Sequence, residues 1–139
     1  MHMSLRCFIQ TQAPVPGSGA QPVHYPACEW VGVDGTVDLL HPLNRFVCSW
    51  LTSDMAELSR CDESLKNIAQ VEAHAVQAWF ADGAMFCVDF KAEGVQFNPS
   101  HVGPEDTAWW NLPEGRFALA EVKAMLHTWR DYLATSPQR

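Results

Sequence analysis

The sequence predicts an α+β fold in a single compact domain over residues 1–139, a mainly antiparallel sheet packed against two or three helices, with a C-terminal helix closing the core. Three observations carry this expectation. Strand-like and helix-like stretches come in runs rather than in regular strand–helix–strand alternation, which speaks against a parallel sheet. The 139 residues suffice for one domain and are too few for two ordinary ones. With 47% hydrophobic and 11% aromatic residues, burial can offset the ordering entropy of the chain, which excludes intrinsic disorder and removes any need for disulfides or metal in folding.

The first strand is expected from Ser4 to Gln10, with Leu5, Cys7 and Ile9 alternating onto one face. Residues 13–26 are rich in proline and glycine and read as a flexible loop. Two β-prone runs flank Asp34-Gly35 between Trp30 and Val37, and Asp-Gly supplies the positive φ angles of a tight hairpin turn. Phe46, Val47, Trp50, Leu51, Met55 and Leu58 recur at helical spacing and predict a helix over 43–58. Asp62 is the expected cap of a second helix, with Leu65, Ile68, Ala69 and Val76 for its buried face. The run 75–80 can extend that helix to Gly83 or, after a break near His74, form a strand; the strand is preferred. Alternation of Phe86, Val88 and Phe90, a turn at residues 91–94 and the run Val95-Gln96-Phe97 predict a hairpin. After an irregular stretch over 100–115, Leu119, Val122, Leu126, Trp129 and Leu133 mark a final helix over 118–134.

No motif of high catalytic or metal-binding specificity is present, and no cofactor is expected. The five cysteines are odd in number and include no Cys-x-x-Cys pair, so the sequence predicts reduced thiols rather than a disulfide framework. The N-terminal residues lack a secretory apolar core, and no run approaches the length of a membrane span; a cytoplasmic location without membrane contact is the expectation. His24 and Cys28 have a spacing that zinc can use only with two further ligands, and no second pair supplies them. Cys61, preceding Asp62-Glu63-Ser64 at an expected helix start, is the best candidate for an activated thiol. The glycines form no phosphate-cradling pattern and read as turn residues.

Charge is the feature that departs from the ordinary. Sixteen acidic residues stand against nine basic ones, which argues against nucleic acid as a partner. The excess is concentrated in residues 51–108, which carry ten carboxylates and three cations. Trp109 and Trp110 are adjacent, so an extended chain turns one of them outward. A small, acidic, tryptophan-rich chain without catalytic motifs is similar in type to bacterial immunity and inhibitor proteins. This predicts a protein-binding module that neutralises a basic partner such as a toxin, through Asp54, Glu57, Asp62, Glu63, Glu105, Asp106, Trp109 and Trp110. The alternative expectation is a small enzyme or ligand-binding protein with a cleft lined by Cys61, His74 and His101.

Overall fold

Hydrophobic alternation and helical periodicity resolve into two antiparallel sheets and three α-helices in a computed structural model that describes residues 4–100 and 110–135. Strand β1 (Ser4–Gln12) pairs with β2 (Val23–Val31), Ser4 opposite Val31 and Gln12 opposite Val23. A π-helical turn over Leu43–Cys48 runs directly into the short helix α1 (Ser49–Ser53), followed by α2 (Leu58–Glu72). The second sheet has the order β3 (Ala78–Asp82), β4 (Phe86–Lys91), β5 (Gly94–Pro99), β6 (Arg116–Phe117), and the C-terminal helix α3 spans Leu119–Thr135.

The expected fold class and the closing helix are present. All five residues assigned to the inward stripe of α3 are buried, joined by Met125. One face of the four-stranded sheet is apolar: Phe86, Val88, Phe90, Val95 and Phe97 are buried there, with Trp79, Ala81 and Phe117 packed against them. The ring of Trp50 lies 5.9 Å from Phe90 and 5.5 Å from Phe97, and Trp79 stacks on Phe90 at 4.9 Å. Such offset and edge-on contacts add to the area each ring removes from water.

Several local expectations need correction. The proline-rich loop ends at residue 22, not 26, because Val23 to Pro26 already belong to β2. Pro26 is tolerated there because a strand of a two-stranded sheet has one unpaired edge, toward which a missing N–H costs no ladder bond. Asp34-Gly35 does form a tight turn, with Gly35 at φ +82° and its N–H donating to the Gly32 carbonyl, but no second strand follows. β2 finds its partner in β1 instead. The helix expected over 43–58 stops at Ser53, and α2 begins at Leu58, so Glu57 rather than Asp62 occupies the N-terminal boundary. Residues 116–117, which follow the expected irregular stretch and belong to no expected element, add to β5 as β6.

The break near His74 is a Schellman ending: the Ala75 N–H donates to the Gln70 carbonyl and the His74 N–H to that of Val71, with His74 at φ +59°. This left-handed residue redirects the chain into β3.

Leu126 is fully buried and Lys123 lies on the outer side of α3, where it pairs with Glu72. Leu126→Ala is therefore expected to cost about 2–5 kcal/mol by lost transfer energy and a residual cavity. Lys123→Ala should cost about 0.5 kcal/mol or less, since exposed ion pairs contribute little. Urea denaturation of the two variants checks the difference.

Candidate functional site: an acidic groove beside the edge of the sheet

The site forms where the first turns of α2 pass the edge strand β3. Glu57, Arg60 and Glu63 recur at three-residue spacing, which sets them on one side of α2. Together with Trp79, Phe80, Ala81, Asp82 and Gly83 they line two adjoining clefts of about 160 and 240 Å³, floored by Trp50, Met55 and Ser64. Among the described residues four carboxylates, counting Asp54, meet a single guanidinium, that of Arg60. Arg60 Nε is 4.0 Å from Glu57 Oε1, at the limit of an ion pair, and both side chains are exposed. The carboxylates at the rim give the opening a negative potential.

Asp54 plays a different part from its neighbours. Its residue exposure is 5%, and its carboxylate accepts the N–H groups of Met85 (3.0 Å) and Phe86 (3.0 Å). It thereby clamps the β3–β4 turn onto the end of α1. Gly83 is required by this clamp: a Cβ there would stand 2.5 Å from Asp54 Oδ2.

The expected binding residues are distributed as follows. Glu57 and Glu63 lie at the groove, Asp54 beneath it. Asp62 turns toward α3, where Arg130 Nε donates to its Oδ1 at 2.7 Å and holds the carboxyl below its ordinary range. Trp110 is half-buried and its indole N–H donates to the Pro99 carbonyl at 2.9 Å, tethering the chain to the end of β5. Glu105, Asp106 and Trp109 lie outside the described residues, as does His101. Sequence reasoning counted Asp82 among the carboxylates of the middle segment without assigning it to the binding surface, and it missed Phe80 as part of the groove. Phe80 is 52% exposed, and only the strand assignment, with Trp79 and Ala81 turned inward, would have placed it outward.

The cysteine expectations divide. All five thiols are unpaired. Cys61 is not an activated thiol, because it sits fully buried inside the first turns of α2 with its Sγ donating to the Met55 carbonyl at 3.4 Å. Burial, with Asp62 adding a like-charge contribution, pushes it up to about 12. Burial and then Asp82, which accepts from Cys87 Sγ at 3.2 Å, likewise push Cys87 up to about 11. His24 and Cys28 both lie in β2, four residues apart in an extended strand, hence about 13 Å apart and unable to share an ion. Among the described residues no cluster of three or more metal-ligating side chains exists, and no helix is long and apolar enough to cross a membrane.

A separate recess of about 290 Å³ lies on the outer face of the sheet, lined by Asp89, Lys91, Glu93, Gln96, Asn111 and Arg116. Its charges are balanced, two carboxylates against two cations, so it lacks the single sign of the groove.

Two outcomes are expected. Asp54→Ala, which leaves two amides of the β3–β4 turn without their acceptor, should destabilise the fold by about 1.5–3 kcal/mol, and Gly83→Ala should also destabilise it by forcing the carboxylate away; chemical denaturation measures both. In thiol titration at mildly alkaline pH, the unfolded chain should react at five sites while Cys61 in the native protein reacts only as fast as the protein opens. Comparison with known proteins finds no match for this chain among family models, curated proteins or solved structures.

Proposed function

We propose that the protein is a protein-binding module whose acidic groove engages a basic partner, in the manner of an immunity or inhibitor protein that neutralises a basic toxin in the cytoplasm. The observation that supports this reading most is the gathering of Glu57, Glu63 and Asp82 around one groove, with Arg60 as its only cation among the described residues. These carboxylates come from two elements, α2 and β3, and reach the surface, whereas Asp62 and Glu72 are engaged by Arg130 and Lys123. A surface of one sign raises the encounter rate of an oppositely charged partner and penalises wrong partners. Among the described residues that line the groove there is no cysteine or histidine, and the hydroxyls of Ser53 and Ser64 donate to the Ser49 carbonyl and to Met55 Sδ. The cleft expected from Cys61, His74 and His101 gains no support, since Cys61 is sealed in the core.

The test combines capture from native lysate, graded elution in salt, and the double variant Glu57→Lys/Glu63→Lys. The wild-type protein should retain a protein of basic composition that elutes as salt rises. The variant should associate with it more slowly and with weaker salt dependence, because steering is screened over roughly 8–10 Å in physiological salt. Asp54 is kept intact, since reversing it would break the clamp. Trp110→Ala reports separately on anchoring: a loss of about 2 kcal/mol or more, expressed in dissociation, would make that ring part of the interface. A partner whose binding is indifferent to the charge reversal would overturn the reading.

A further inference from the structure

We infer that β3 is a docking edge, along which an extended segment of the partner, alternating basic and apolar residues, adds as a further strand of the sheet; this inference rests on the reading of the groove as an acidic protein-binding surface. β3 is terminal in its sheet and pairs only with β4 among the described residues. Alternate N–H and C=O groups of Ala78–Asp82 therefore face away from β4, a template for main-chain hydrogen bonds. Protein edges are commonly blunted by lysine, proline or a bulge. Ala78-Trp79-Phe80-Ala81-Asp82 contains no lysine or proline, and its register with β4 is unbroken from Ala78 opposite Lys91 to Asp82 opposite Cys87.

The pleat fixes the chemistry of the occupant. Side chains of an added strand alternate between two faces. On the face toward α2 they would meet Glu57 and Glu63 across the groove, which calls for lysine or arginine. On the opposite face they would lie beside the exposed ring of Phe80, which also borders one of the clefts, and beside Asp82 on the same side of the pleat, which calls for aliphatic or aromatic residues with a cation at the Asp82 end. A second copy of the chain fits poorly, because its net charge of −7 and the same carboxylates would be brought against their equivalents. The other strands offer less. β6 is two residues long, β2 carries Pro26, and β1 presents the exposed cation of Arg6.

The experiment uses the full chain, labelled with ¹⁵N, and three synthetic peptides: one alternating lysine and valine, the same peptide N-methylated throughout, and one alternating glutamate and valine. Amide exchange and chemical shifts are followed by NMR. The lysine–valine peptide should bind, perturb β3 and slow exchange at alternate amides of residues 78–82. N-methylation, which removes the main-chain donors and leaves every charge in place, should weaken binding by about tenfold or more. The glutamate peptide should not bind, and Glu57→Lys/Glu63→Lys should weaken the lysine peptide. Equal binding of the methylated and unmethylated peptides, or protection elsewhere than β3, overturns strand addition and leaves the acidic surface standing. Absence of binding by both lysine peptides overturns the docking edge, and the charge-reversal measurement on the natural partner then decides the broader reading independently. A concentration-dependent dimer with protected amides at 78–82 overturns the inference in favour of self-pairing.

Discussion

The fold turns on two consecutive residues, Asp54 and Met55, that follow the end of α1. The Asp54 carboxylate accepts the amides of Met85 and Phe86 and so holds the β3–β4 turn. The Met55 carbonyl accepts the indole N–H of Trp129 from α3 at 2.8 Å and the thiol of Cys61 from α2. One short turn thus ties the sheet and both long helices through bonds that are mostly buried, where an unmade partner is costly. The break in the helical pattern at Ser53 suits this demand, because a helix continuing through 54–57 would use the Met55 carbonyl internally.

Around this junction the apolar face of the four-stranded sheet supplies the bulk of the core. Trp50 sits between the rings of Phe90 and Phe97, and Phe46 packs between Phe86 and Phe117. Asn44 performs the complementary polar task. Its side chain accepts from the Trp30 N–H at 2.6 Å and donates to the carbonyls of Trp30 and Asp38, extending the hydrogen bonding of β2 into the loop that precedes the first helical turn. The two-stranded sheet is thereby joined to the main core, and residues 36–41 have no need of a strand partner.

The acidic excess is divided by the tertiary structure into carboxylates with structural partners and carboxylates at the surface. Asp54 is engaged by amides, Asp62 by Arg130, Glu72 by Lys123 and Asp89 by Lys91 at 3.6 Å. Glu57 and Glu63 remain along the groove, and Asp82, although it accepts from the Cys87 thiol, borders the same cleft. The groove is negative because a helix start and a strand end converge on it. Its position beside the sheet edge is what makes charge and main-chain hydrogen bonding available to one occupant.

Sequence alone determined the features that depend on neighbours a few residues apart. The stripe of α3, the Phe86–Phe90 alternation, the turn before Val95 and the break at His74 are all written in local periodicity or turn chemistry, and the structure contains each of them. The acidic bias of the middle segment was equally legible. What the tertiary structure decided were choices between partners. Asp34-Gly35 has the chemistry of a hairpin, yet β2 gained more by pairing with the distant β1 over nine residues. Asp62 has the chemistry of a cap, yet Arg130, far along the chain, claimed its carboxylate. Asp54 reads in sequence as one more surface charge off the apolar stripe, but the amides of Met85 and Phe86 reach it only because β3 and β4 fold back over α1. Contacts between residues so widely separated leave no trace in local pattern, and for that reason the rim of the groove, Glu57, Glu63 and Asp82, becomes a single site only in three dimensions.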